Sequence, residues 1–289
     1  THKSFNTIVG MDPLMFLHMG DMHYQNITAN TPALFHAAFD AVFASHTQHR
    51  LYRSVPTAYV WDDHDGAGGN NTNGSAAGWP AACSVYRSRV PHYPLPHATA
   101  IYQTWDIGRV RFIMTDQRSQ ASSNTVPDGP SKTLLGADQK AWFKDIIANS
   151  PGMLIVWICP RWFGNPNSSD SWSSFATERA ELCGHIKDHA LGRTMLFSAD
   201  VHYIGLDDGT NVDYATGGGG PLPTFQASPL DYTPPSAVSG TWTHGNFSAN
   251  GQFGMMEIED VGDPTVQVTW KGYNSAGTLL TTHSFTASL

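Results

Sequence analysis

The chain has 289 residues, 40% of them hydrophobic and only 14% charged, a composition far from that of a disordered polypeptide. Its 16 basic residues are outweighed by 24 acidic ones, for a formal charge of -8, which argues against sequence-specific nucleic-acid binding or an anionic membrane surface as the main role. No run approaches the roughly 18 apolar residues that a membrane span needs, so no membrane span is expected.

Taken in chain order, Thr1 to Met11 reads as one or two helical turns leading through Pro13 into a short apolar strand, Leu14 to Met19, that breaks at Gly20-Asp21 and continues to Tyr24. An α/β domain usually gives its first strand a neighbour, so either upstream material or another segment is expected beside this one. Thr31-Pro32, followed by Leu34, Phe35, Ala38, Phe39, Val42 and Phe43, has an N-cap, an early Pro and helical apolar spacing. Val55 to Trp61 reads as a strand ending in Asp62-Asp63-His64-Asp65. The Gly/Asn-rich stretch from Gly66 to Gly74 is either a mobile loop or the lining of a site. Two strands are expected between Tyr102 and Thr115, the second over Arg109 to Met114. Ser119 to Lys132 has no pattern, and a helix is expected from Leu135 through Ile147. Met153 to Cys159 is a continuous apolar strand, Asn165 to Ser174 a polar loop and Glu178 to Ala190 a helix. Thr194 to Phe197 is a buried strand that ends in Ser198-Ala199-Asp200-Val201-His202. Phe253 to Glu259, Thr265 to Tyr273 and Thr278 to Phe285 read as antiparallel strands, the last two joined by a turn at Asn274 to Gly277. No linker divides the chain. One domain over 1–289 is expected, with 251–289 as its C-terminal antiparallel strands.

Three strands thus end in turns rich in carboxylate and imidazole, around Asp21, Asp63 and Asp200. A layered α/β fold collects such ends at one edge of a sheet. Several buried carboxylates there cost several kcal/mol unless they are paired or hold cations. Oxygen ligands with imidazole suit Fe, Mn, Ca, Mg or Zn, and two adjacent cations can clamp a phosphate ester.

The motifs Gly-Asp-X-X-Tyr, Trp-Asp-Asp-His-Asp, Asp-X-Arg, Leu-Gly-X-X-Gln-X-X-Trp, Trp-X-X-Phe-X-X-Glu-Arg and Ala-Asp-Val-His occur in that order. Together they resemble the PhoD-like alkaline phosphatases and phosphodiesterases, within the calcineurin-like metallophosphoesterases and related to purple acid phosphatases. The resemblance covers the chain from Leu14 onward. It implies a four-layer α-β-β-α fold with two mixed sheets face to face. It also implies hydrolysis of phosphomonoesters or phosphodiesters, with small-molecule phosphate esters or phospholipid- and nucleotide-type diesters as substrates. Asp21 would bridge metals, Tyr24 would ligate ferric iron, and Asp63, Asp200 and His202 would complete the ligands, with Fe and Ca favoured and Mn, Zn or Mg as alternatives. His64 would act on the transition-state or leaving-group oxygens, held in its tautomer by Asp65. Arg118 would contact phosphate or form a structural ion pair. The family's further block upstream, with a cysteine, has no counterpart after Leu14, which also admits a catalytically degenerate glycoprotein of structural or adhesive role.

Sequons at Asn26, Asn70, Asn73, Asn167 and Asn246, with few lysines, point to a secreted, N-glycosylated protein. Cys83, Cys159 and Cys183 allow one disulfide at most. His18, His36, His185 and His189 read as core or surface residues, and Asp170 as a lesser candidate for the site.

Overall fold

The computed structural model describes residues 3–164, 168–235, 238 and 240–289. The chain runs α1 (Lys3–Gly10), β1 (Phe16–Met19), α2 (Pro32–Ala44), α3 (His46–Ser54), β2 (Thr57–Val60) and α4 (Trp79–Arg89). There follow β3 (Gln103–Ile107), β4 (Val110–Met114), α5 (Gly136–Ala148), β5 (Leu154–Cys159), a short 3-10 turn (Trp172–Phe175), α6 (Ala176–Ala190) and β6 (Thr194–Ser198). The last part holds β7 (Ile204–Asp207), β8 (Thr224–Gln226), β9 (Asn246–Phe247), β10 (Phe253–Glu259), β11 (Thr265–Tyr273) and β12 (Leu279–Ser288).

The strands form a seven-stranded mixed sheet in the order β3-β4-β5-β6-β8-β7-β9, a parallel pair β1-β2 and an antiparallel set β10-β11-β12. In β5 every residue is buried: Val156 and Ile158 point into one core while Ile155, Trp157 and Cys159 point into another, the period-2 alternation of a strand covered on both faces. The second core lies against α5 and α6 through Phe143, Ile147, Leu182 and Ile186. The first is shared with β2 (Tyr59, Val60), α2 (Phe35, Phe39) and β11 (Val266, Val268, Trp270). The layers are therefore helix, seven-stranded sheet, the two smaller strand sets, and helix, which is the expected α-β-β-α arrangement.

The expected helices and strands are present, with ends shifted by one to three residues where caps decide. Two helices, α3 and α4, and three strands, β7, β8 and β9, were not anticipated. The sequence of α3, HTQHRLYRS, buries only Thr47 and Leu51 and so lacks an apolar stripe. The three-residue β8 is too short to show a period, yet it lies between β6 and β7 in the interior of the sheet. The turn at Asn274 to Gly277 forms as expected, with the Asn274 carboxamide oxygen accepting from the N–H groups of Ala276 and Thr278. All three cysteines are buried and unpaired, so the single permitted disulfide does not form. His18 is buried among Phe16, Tyr52 and Tyr59, a core residue as its apolar surroundings imply.

Candidate metal centre

The carboxyl ends of β1, β2 and β6 meet at one place. Gly20, at φ +99°, turns the chain out of β1, and a Cβ there would lie 2.5 Å from the Asp62 Cβ, so only glycine lets the two strand ends approach. Asp21, Tyr24, Asn26 and Asp200 also hold left-handed backbone, at φ between 51° and 71°. Such conformations are costly for non-glycine residues and gather where the surroundings over-determine them. Asp65 clamps the two turns together: its carboxylate accepts from the N–H of Met22 (2.8 Å), the N–H of Asp62 (2.8 Å) and the Tyr59 hydroxyl.

This placement corrects the role expected of Asp65. It makes no hydrogen bond to His64; Asn26 Oδ1 lies 2.5 Å from His64 Nδ1 instead, with Asn70 as a further side-chain partner. Asp65 acts on the site through the backbone, by fixing where Asp21 and Asp62 stand.

Two groups of side chains offer ligand atoms within 4.8 Å of one another: Asp21, Asp63 and His64, and Asp62, Asp63 and Asp200. Asp63 belongs to both, which makes it a candidate for the shared carboxylate beside Asp21, the residue to which the resemblance gives that role. Asp62 was missed because adjacent acids in one motif cannot be ranked from sequence; the turn after β2 sends both inward. His202 falls outside both groups. The Tyr24 ring stacks on His64 with centroids 3.8 Å apart and on Tyr232 at 4.4 Å. His202 packs edge-on to Tyr232, and its Nδ1 lies 3.0 Å from the Thr233 carbonyl. Both therefore line the centre, Tyr24 close enough to Asp21 and Asp63 for their charges to raise its phenol.

Arg118 is fully buried and does not face a substrate. Its Nε donates to Asp62, its Nη1 to Asp170 at 2.8 Å, and its Nη2 stands 3.9 Å from Asp63. Of the two expected roles, contact with phosphate is thus corrected to the structural ion pair, although the partners are Asp62 and Asp170. Asp116 instead caps the backbone of Ile101, Arg118 and Ser119. Asp170 is the hub behind this arginine. It also pairs with buried Arg161 and accepts from the N–H of Asn71 at 2.8 Å, which pins the Gly/Asn-rich loop to the site. Asn124 joins the same hub through Arg161 Nη2 at 2.8 Å, so the stretch from Ser119 to Lys132 is held in place despite its lack of pattern. Asn167 lies outside the described residues. Asn26, Asn70 and Asn246 are exposed and Asn73 is partly buried.

The electrostatics suit a cation. Burial raises the carboxyls of Asp21, Asp63 and Asp200 above the usual range, and their acidic neighbours push Asp21 and Asp200 further the same way. Burial brings Asp62 to about 7 even though Arg118 opposes it. Burial would raise Asp170 too, but Arg118 and Arg161 hold it below the ordinary carboxylate range. Burial lowers His64, keeping its ring neutral, and raises the Tyr24 phenol with help from Asp21. One oxygen each of Asp62 and Asp63, and Arg118 Nη2, are buried without a hydrogen-bond partner. Buried carboxylate oxygens without donors are a fit for hard cations. The residues present suit the metals that such a cluster implies.

A family model described as PhoD-like phosphatase matches residues 1–272. Among solved structures, a structure of PhoD superposes with a TM-score of 0.67 at 15% identity, covering 96% of this chain and 68% of that one. A purple acid phosphatase from seeds of yellow lupin (Lupinus luteus) superposes at 0.59 and 14% identity, covering 99% of this chain and 48% of the other. Comparison with curated protein sequences finds no match. At such identities the likeness to both solved structures is one of fold.

Proposed function

This chain belongs to the PhoD-like phosphatase family, and from that membership and its carboxylate centre we propose that it is a metal-dependent phosphoesterase acting on phosphomonoesters or phosphodiesters. The observation that carries the reading is the convergence of Asp21, Asp62, Asp63 and Asp200, from three strand ends, around buried oxygens that lack donors. Asp63 would be shared between two cations, with Asp21 on one side and Asp62 and Asp200 on the other. When bound, such cations offset the charge of the phosphate oxygens and lower the pKa of a water at neutral pH.

The chain's own residues supply the rest. His64 is half-buried at the mouth, and its neutral ring, oriented by Asn26 and stacked on Tyr24, presents Nε2 toward the cluster, where it can pass a proton to or from an ester oxygen. Arg118 and Asp170 hold Asp62 and Asp63 in place from behind. The exposed Tyr232 and the loop around Asn70 form the rim that a substrate meets. Iron with calcium is the favoured pair, supported by the excess of carboxylate over imidazole. An extracellular setting with N-glycans is part of the same reading, supported by exposed sequon asparagines at Asn26, Asn70 and Asn246.

The test is hydrolysis of p-nitrophenyl phosphate and bis-p-nitrophenyl phosphate by the purified protein, with metal content measured on the same sample. Turnover that disappears on chelation and returns with Fe, Ca or Mn is expected. Bound metal without hydrolysis of either ester would sink the proposal in favour of the degenerate glycoprotein.

A further inference from the structure

Tyr232 and Thr233 stand in the stretch between β8 and β9, which carries no motif of its own. Both reach the metal centre. The Tyr232 ring stacks on Tyr24, with centroids 4.4 Å apart and planes inclined by 28°, and its hydroxyl is hydrogen-bonded to the Tyr24 phenol. The same ring meets His202 edge-on at 4.8 Å. Since Tyr24 also stacks on His64 at 3.8 Å, four rings form one chain across the mouth, in the order His64, Tyr24, Tyr232, His202. Three of them belong to the turns after β2, β1 and β6, the strand ends that supply the acids. Tyr232 is the link that none of those turns provides.

We propose that Tyr232 and the Thr233 carbonyl are positioning groups of the metal centre, which hold the Tyr24 phenol and the His202 imidazole as donors for cations. The proposal rests on the phosphoesterase reading only for the presence of those cations. The Thr233 carbonyl oxygen lies 3.0 Å from His202 Nδ1. A carbonyl can only accept, so Nδ1 carries the proton and the lone pair of the neutral ring is on Nε2. Imidazoles that hold metals commonly donate their other N–H to a backbone carbonyl in this way, which fixes the tautomer and the ring plane.

Tyr24 poses a different problem. Its backbone is left-handed, at φ +53°, in a turn outside any strand, so regular structure does not place its ring. Neighbouring rings do. Two rings cannot share one face of Tyr24 at separations of 3.8 and 4.4 Å, so the phenol ring is sandwiched between His64 and Tyr232. The Tyr232 hydroxyl then fixes the phenol oxygen. A residue that only met substrate at the rim would use its ring without this inward bond; Tyr232 is 44% exposed, yet its hydroxyl is committed to Tyr24.

The test uses the full chain, with ferric iron supplied as the citrate. In the metal-free protein, NMR of the ring nitrogens, assigned by comparison with His202→Gln, should show His202 protonated at Nδ1 and not at Nε2. With iron bound, a visible phenolate-to-iron charge-transfer band is expected that Tyr24→Phe abolishes. Tyr232→Phe keeps the ring and removes the hydroxyl, and it should shift that band with far-UV circular dichroism unchanged. Tyr232→Ala removes both and should weaken iron binding by about 10–100-fold in competition with a chelator. If Tyr232→Ala does not fold, the band of Tyr232→Phe decides. The proposal is overturned by His202 protonated at Nε2, by iron bound without a band, by no iron bound, or by a band and an affinity that both Tyr232 variants leave unchanged. A rise confined to KM for bis-p-nitrophenyl phosphate would also overturn it, by making Tyr232 a substrate contact. The two readings fail separately: iron held through Tyr24 and Tyr232 without ester hydrolysis sinks the phosphoesterase and leaves this proposal, whereas hydrolysis with metal binding indifferent to Tyr232 does the reverse.

Discussion

The two β layers of this protein are built to different standards. In the seven-stranded sheet every neighbouring pair is hydrogen-bonded, its strand β5 is buried on both faces, and helices α5 and α6 close the outer side. The opposing layer is split into β1-β2 and β10-β11-β12, with an apolar slot between them. The metal centre draws on both, taking Asp200 from the continuous sheet and Asp21, Asp62 and Asp63 from the split layer. The difference teaches that the site's rigidity is unequal. Its β6 wall is fixed by a complete ladder, whereas its β1 wall depends on a turn clamp, Asp65, and on α1.

The largest effect expected is on catalysis at the junction. Asp63→Asn and Asp200→Asn should each lower turnover of p-nitrophenyl phosphate by about a thousandfold, with far-UV circular dichroism unchanged. Retained activity in Asp200→Asn, with loss in Asp63→Asn, would mean that the continuous sheet contributes no ligand. Next comes stability. Trp157 is completely buried in the continuous sheet, and Trp157→Ala should cost about 3–5 kcal/mol in urea unfolding. Met256 is partly buried beside the slot, and Met256→Ala should cost about 1 kcal/mol or less. Equal costs would show that the split layer is as tightly packed as its neighbour.

His18 on β1 provides a pH probe of the split layer. Burial holds its imidazole down at about 4, with Asp65 opposing. The unfolded chain takes up a proton near pH 6.5, the folded one only near 4, so this contribution is present above pH 6.5 and is lost as pH falls toward 4. The loss is at most about 3 kcal/mol, and less if the slot admits water. His18→Phe should therefore lose less stability than the parent between pH 7 and pH 4.5 in paired urea titrations. A parallel decline in the two would show that His18 is solvated in the folded state. A further effect is expected behind the site: Asp170→Asn should weaken metal binding by about 10–100-fold, measured by competition with a chelator, because Arg118 loses the partner that aims it at Asp62.

The sequence by itself determined the strands whose period or apolar run is unmistakable, β1, β2, β4, β5, β6 and β10 to β12, and the three acid-bearing turns at their ends. Local chemistry suffices there, since burial on one or both faces leaves a readable pattern and Gly20 marks a turn that no other residue could make. The ordered motifs also carried the fold, because Gln139 and Glu178 within them have structural work. Gln139 bonds both backbone groups of Asp116, and Glu178 accepts from Leu134 N–H and the Thr133 hydroxyl at the head of α5. What only tertiary structure decided was which of several neighbouring polar groups faces which. It put Asp63 within reach of both groups of acids, brought in Asp62, set Asn26 rather than Asp65 against His64, and bound Arg118 between Asp62 and Asp170. These choices rest on distances of a few ångströms between segments 40 to 150 residues apart, and no local spacing encodes them. The same holds for the slot, whose existence depends on two strand edges that meet only after the chain has folded.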